Sequence, residues 1–305
     1  MLLLQTRELA PSISAVTAWK GTFLGVRLPT SEEPDRAPPP PRPLPWHSTA
    51  WFDVAIFITV AGGILWLVLK GAASMGYAWK WAQVPRYIYR VIDGEFIPGA
   101  LLKGLLVTLD LSWISMLLAL AIGLTVAILK LSTSLVGRWI AQIYIELIRN
   151  TPILVQILII YFIIGRIFGI PRFWSGVLCL SLYEGAFAAE IIRGAIVAVK
   201  KGQWEASRSL GLSSFDTYRD VILPQAVPLM MPPMAGVLVN LVKHSAIVSV
   251  IAVFDLATET RNAVADTFMA FELWLTAAAM YLVVTITLSA VASWTEQRFR
   301  PADGR

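Results

Sequence analysis

Several ionisable and amide side chains lie inside otherwise apolar stretches of this chain, at spacings that decide which can act together. Asn240, Lys243 and His244 fall at i, i+3 and i+4, so they share one face of a helix. A cation and an amide on one face can hold a carboxylate, or can bind a neighbouring helix. His244 reads either as a ligand contact or as a hydrogen-bonded core histidine. Glu184 lies well inside the apolar run Phe173–Val199, with no cation three or four positions away. A carboxylate so placed can meet an ammonium, or pair with a cation of another helix. Glu190 and Arg193, at i and i+3, can pair with each other. Glu146, Arg149 and Asn150 precede Thr151-Pro152. Pairing of Glu146 with Arg149 is expected there, next to a proline that frees a backbone carbonyl inside the run.

These groups do not make a catalytic centre. Cys179 is the sole cysteine, and the two histidines are His47 and His244. No carboxylate–histidine constellation accompanies them, and a single in-span histidine is no metal site. The phosphate-cradling pattern G-x-x-x-x-G-K-[ST] is also missing from the sequence, so ATP has no such loop here. No catalytic, metal or cofactor residue is expected in this chain.

The elements that position these groups follow from composition. Of 305 residues, 57% are hydrophobic and only 15% charged, and the mean hydropathy is +0.67. Soluble domains carry about a quarter charged residues, so a soluble enzyme is excluded. A bilayer core about 30 Å thick takes roughly 20 helical residues to cross. Six apolar runs meet that length: Phe52–Leu69, Leu101–Leu129, Arg138–Phe168 (broken near Thr151-Pro152), Phe173–Val199, Pro228–Val253 and Phe268–Trp294. The predicted fold is an all-α membrane protein with about six transmembrane helices.

The net charge of +5 reflects basic cytoplasmic loops rather than a nucleic-acid surface. With the N-terminus inside, the inner segments hold fourteen Lys and Arg. The outer ones hold Lys80, Arg86, Arg90, Arg166, Arg172 and Arg261. Both termini are therefore expected in the cytoplasm. Residues 1–50 form a Pro-rich tail without a signal-peptide pattern, with seven prolines between Pro34 and Pro45. Residues 51–70 form an extra first helix. Residues 71–98 form a linker whose Tyr77, Trp79, Trp81, Tyr87 and Tyr89 suit a membrane interface.

The longest polar interval between runs, residues 200–224, reads KKGQWEASRSLGLSSFDTYRDVILP. Gln203–Leu210 suits a short amphipathic helix, and Gly211 suits a left-handed helix end. Ser213 with Asp216 resembles a capping box, and Pro224 suits the start of the next span. This local pattern fits either an ordinary connector or a docking element.

Glu205-Ala206-Ser207, Gly211, Val221 and Leu223-Pro224 keep the spacing of the EAA loop, Glu-Ala-Ala-x3-Gly-x9-Ile-x-Leu-Pro, and resemble that loop of ABC importer permeases. Three further stretches resemble the polar amino-acid permeases within that family. They are Glu146 to Gln156, Ala189 to Glu205, and Leu241 to Ile251, where His244 stands in place of a common acid.

The resemblance, over residues 99–300, implies a five-helix importer core preceded by one extra helix, in a bacterial inner membrane. It implies a permease for polar L-amino acids delivered by a periplasmic or extracellular binding protein, or for another small solute using the same loop. Its implied partners are a second permease subunit, identical or paralogous, and an ATP-binding subunit that holds ATP and magnesium. Glu205, Ala206, Ser207, Gly211, Leu223 and Pro224 would couple to that ATPase. Glu184, Lys243, Asn150, Asn240 and His244 are the candidates for the substrate pathway. Glu184 and Lys243 are expected to face one central cavity, or else to pair with each other.

Overall fold

A computed structural model describes residues 50–299, with side chains from 51 to 294. The Pro-rich tail expected over residues 1–50 lies almost entirely outside the described residues. The chain forms two compact units that divide after Tyr77. In the first, α1 (Ala50–Ser74) is apolar on every face and long enough to cross a bilayer.

The second unit opens with two short turns of helix, Trp81–Gln83 and Pro85–Ile88, and a hairpin of β1 (Tyr89–Ile92) and β2 (Glu95–Pro98). The helices follow in order: α2 (Ala100–Leu131), α3 (Leu135–Arg149), α4 (Ile153–Ile159), α5 (Arg172–Ala198), α6 (Lys201–Ser209), α7 (Leu223–His244), α8 (Leu256–Thr267) and α9 (Ala270–Phe299). The all-helical membrane architecture stands, with the hairpin as its exception. Two residues with positive φ, Asp93 and Gly94, make the turn, and apolar side chains flank it. That is a two-residue hairpin signal the linker reading passed over.

The break expected near Thr151-Pro152 is present, and the start of one later span differs from expectation. The third predicted span is two helices, α3 and the segment Ile153–Phe168, bent through 107°. Pro152 has no N–H to continue the ladder, so the chain turns there. The fifth span begins well before Pro228: helix runs from Ser214 through a wide turn, Thr217–Ile222, into α7 and on to Ile251. The wide turn ends just before Pro224, with the N–H of Leu223 reaching back to the carbonyl of Tyr218. A ring that cannot donate is accommodated by shifting the hydrogen bonds by one residue. Helix α8 was not foreseen. Asp255 caps it, its carboxylate accepting from the N–H groups of Thr258 (3.0 Å) and Ala257 (3.3 Å). Burial pushes that carboxyl upward, against the lowering effect of these hydrogen bonds.

Helix α5 is the central element. It packs most extensively against α2, and also against α7 and α3. Its buried side includes Ser175, Val177, Cys179, Leu180, Ser181, Ala186, Ala188 and Ala189. Small residues matter here because lipid offers no hydrophobic drive for helix association, and close packing must hold the pair. At Gly123 of α2, a Cβ would lie 2.7 Å from the Cβ of Ala188 and 3.1 Å from the backbone N of Ala189. By contrast, α9 shows its apolar side chains to the surroundings, including Leu282, Val283 and Ile286.

Gly123→Val should therefore force α2 and α5 apart. Overpacking of this kind costs about 1–3 kcal/mol. Thermal unfolding of the purified protein in detergent should show a clearly lower transition than Leu118→Val, a substitution on the exposed side of the same helix.

Candidate functional site

Helix α6 and the reversal after it form the most sharply defined part of the polar interval. Ser207 is buried, and its hydroxyl donates to the carbonyl of Gln203 at 2.7 Å. Trp204 meets Tyr218 edge-to-face with ring centroids 5.2 Å apart, which ties α6 to the root of α7. The helix ends with the N–H of Leu212 on the carbonyl of Ser207 (3.1 Å) and that of Gly211 on Arg208 (3.0 Å). This paired closure requires a left-handed residue, and Gly211 has φ +73°. Ser213 then caps the next turn: its oxygen accepts from the N–H of Asp216 (3.2 Å) and its hydroxyl donates to the Asp216 carboxylate (2.5 Å).

The outward side of this loop is partly apolar. Leu210 is 79% exposed and Phe215 70% exposed, with Glu205 and Ala206 also open. Leu223 is half-exposed at the start of α7, followed by Pro224. A polar loop that displays large apolar side chains beside a fixed backbone reversal has the makings of a contact surface.

The second polar centre lies between α5 and α7. Glu184 is 2% exposed, and its carboxylate is 2.8 Å from Nδ1 of His244. His244 meets Tyr183 edge-on at 5.5 Å, Tyr183 leans on Phe187 at 5.3 Å, and the Arg149 guanidinium lies 5.1 Å over the Phe187 ring. A continuous chain of contacts thus links α7, α5 and the end of α3. Tyr183 and Phe187 escaped the sequence reading. Their signal was an aromatic pair at i and i+4 astride Glu184.

Lys243 points elsewhere. With Asn240 it lines a cavity of about 350 Å³ between α7 and α9, together with Pro232, Gly236, Ser289 and Ser293. The expected pairing of Glu184 with Lys243 is thus not what forms, and Glu184 does not line this cavity. Successive residues on a helix point about 100° apart, so 243 and 244 address different neighbours. Asn240 and Lys243 do share a face, as their spacing predicted, while His244 turns from it to α5.

The α3 end also differs from expectation. Glu146 does not bond Arg149; it accepts from Gln142 (2.6 Å) and from the Asn150 amide (2.7 Å), both four positions away. Arg149 instead stacks on α5. Pro152 leaves the carbonyl of Ile148 without its helical donor, and the buried amide of Gln156 donates to that carbonyl at 2.8 Å and to Thr151 at 3.0 Å. Glu190 does pair with Arg193 (2.9 Å), and it also meets Lys130 of α2.

Three comparisons bear on this arrangement. Residues 119–301 match the family model described as "Binding-protein-dependent transport system inner membrane component". The glutamine transport system permease protein GlnP of Escherichia coli K12 is 37% identical over 207 residues, covering 66% of this chain and 93% of that protein. The arginine transport system permease protein ArtQ of Bacillus subtilis is 34% identical over 205 residues, covering 67% and 94%. A solved amino acid ABC transporter with histidines is 39% identical, with a TM-score of 0.62, covering 65% of this chain and 94% of that one.

Removing one partner of a buried hydrogen-bonded charge typically costs about 3–5 kcal/mol, whereas replacing both by apolar groups is often tolerated. His244→Leu should therefore lower the thermal transition of the purified protein sharply. Glu184→Leu combined with His244→Leu should recover a large part of the loss.

Proposed function

The chain belongs to the family of binding-protein-dependent transport system inner membrane components, a polar amino-acid permease of an ATP-driven importer, and we propose how its parts divide that work. The five-helix core spans residues 99–300. Residues 1–50 form a cytoplasmic tail, residues 51–70 an added helix, residues 71–98 an interfacial linker and residues 200–224 the cytoplasmic coupling loop. Both termini face the cytoplasm, a reading supported by the excess of Lys and Arg in the segments that this places inside.

ATP hydrolysis belongs to a separate ATPase subunit, which binds ATP and magnesium. This chain contributes no cofactor site, as the missing phosphate loop in its sequence supports. A second permease copy or paralogue completes the pathway, and a binding protein delivers a polar amino acid such as the glutamine or arginine named for the relatives.

The observation that carries the coupling reading is the connection from loop to polar centre. The loop joins α5 directly to α7, and those two helices carry Glu184 and His244, which bond across their interface. A docked ATPase gripping Leu210, Phe215 and Glu205 would push on α6. Ser207, Trp204 and Tyr218 would pass that displacement to the root of α7. Gly211, Leu223 and Pro224 set the geometry of the joint.

A zwitterion leaving water must keep both charges compensated. Lys243 and Asn240, open to the same cavity, take the substrate carboxylate. Glu184, buried and bonded to His244, is held away from this cavity, and Asn150 at the break after α3 is a neutral contact.

The Gly211 backbone is the test. A Cβ there would meet nothing within 4 Å, so Gly211→Val acts through its left-handed φ alone, a strain of about 1–2 kcal/mol. In the reconstituted complex, stimulation of ATP hydrolysis by loaded binding protein should fall while membrane insertion persists. Full stimulation in this variant would overturn the coupling role of the loop.

A further inference from the structure

The side chains of the hairpin β1–β2 lie largely open among the described residues, Pro98 alone being partly covered. The register pairs Tyr89 with Pro98 and Val91 with Phe96. Side chains alternate along a strand, so these four share a face. The other face carries Arg90, Ile92, Glu95 and Ile97. On the first face Tyr89 stacks on Phe96 with centroids 5.9 Å apart. Even so, Tyr89, Val91 and Phe96 are 47%, 63% and 62% exposed. A face of apolar and aromatic side chains backed by one that carries both charges of the hairpin, Arg90 and Glu95, suits an element lying at a boundary between two media.

Its position in the chain identifies the boundary. One residue, Gly99, separates β2 from α2, and the Gly99 N–H donates to the carbonyl of Ile88 at 2.8 Å. Val84, buried beneath the turn before β1, packs in the same cluster as Leu101 of α2. The hairpin is therefore anchored where a membrane-spanning helix begins. At about 3.3 Å per residue, its four-residue strands reach no more than about 13 Å from that junction. The headgroup layer is itself about 5–8 Å deep on each side of the hydrocarbon core. Arg86 precedes β1, and Arg90 lies within it. Arg86 bonds Gln83 (2.7 Å) and Tyr87 (3.1 Å), and Arg90 bonds the Arg86 carbonyl (3.2 Å). Each guanidinium has five N–H donors, so most of them are left to face anionic groups.

We propose that this hairpin is a lipid anchor: Tyr89, Val91 and Phe96 lie in the headgroup–acyl boundary at the N-terminal end of α2, and Arg86 and Arg90 bind phospholipid phosphates. The proposal rests on the membrane permease reading and adds a site to it. Phosphate suits these residues because a guanidinium binds it in a forked, charge-assisted geometry. An interfacial tyrosine also keeps its hydroxyl wet while its ring is buried.

The test uses the full-length chain in nanodiscs of phosphatidylethanolamine and phosphatidylglycerol, with buried Cys179 left in place. Nitroxide labels at Val91→Cys, Phe96→Cys and Glu95→Cys are compared for accessibility to oxygen, which concentrates in lipid, and to a water-soluble nickel chelate. Leu117→Cys, exposed midway along α2, reports the membrane itself. The oxygen-to-nickel ratio should be several-fold higher at Val91 and Phe96 than at Glu95. A high ratio at Leu117 with water-like ratios at Val91 and Phe96 would sink the anchor alone. A water-like ratio at Leu117 would remove the membrane reading and the anchor with it. Protection of Val91 and Phe96 that appears only on adding the binding protein would assign the face to a protein partner and overturn the proposal.

Discussion

At Gly123 the backbones of α2 and α5 approach until a single added methyl group would collide with Ala188. The other contacts of the core are set by that separation. With the helices so close, Lys130 reaches Glu190 from one helix to the other, and Tyr144 of α3 donates to the carbonyl of Leu182 at 2.6 Å. Helix α5 can then be buried on most sides, and a carboxylate such as Glu184 survives within it because its partner is brought to hydrogen-bond distance. In a medium that cannot solvate charge, close approach is what makes in-span ionisable groups tolerable.

The same shortage of water explains the smaller polar arrangements. Hydroxyls inside the helices bond backward to their own turn, as Ser112 does to Thr108 and Ser181 to Val177, both well inside hydrogen-bond distance. Where Pro152 breaks the ladder, Gln156 supplies the lost donor from one turn further on. The carbonyls of Ile148 and Thr151 at the bend of 107° thus have a donor, while the buried Oε1 of the same Gln156 has no partner among the described residues. A broken helix with its carbonyls repaired by a side chain suits a transport pathway, because irregular backbone at membrane depth is tolerated only against protein or a cavity.

The loop from α6 to α7 is tied to this scaffold at both ends. Its reversal is rigid on one side, through Gly211 and Ser213, and anchored on the other, through Ser207 and Trp204. Its contacts therefore run from the exposed tip to the start of α7, the helix that meets α5. The aromatic chain from His244 to Arg149 extends that route to the end of α3.

The sequence by itself determined what depends on local rules: the apolar runs, the break at Pro152, the left-handed turn at Gly211, the cap at Ser213 and the pairing of Glu190 with Arg193. The loop spacing also carried the family. Even the hairpin had its local signal in Asp93-Gly94, missed because the surrounding residues were read as a linker. Only the tertiary structure decided the partners of the isolated charges. Glu184 and His244 are 60 positions apart, as are Lys130 and Glu190, and helical spacing constrains neighbours only over about one turn. Whether Lys243 or its neighbour His244 faces α5 depends on the rotation of α7 about its own axis. That rotation is fixed by packing over the whole length of the helix, so no short stretch of sequence could reveal that Glu184 meets the histidine while the lysine opens on the cavity beside α9.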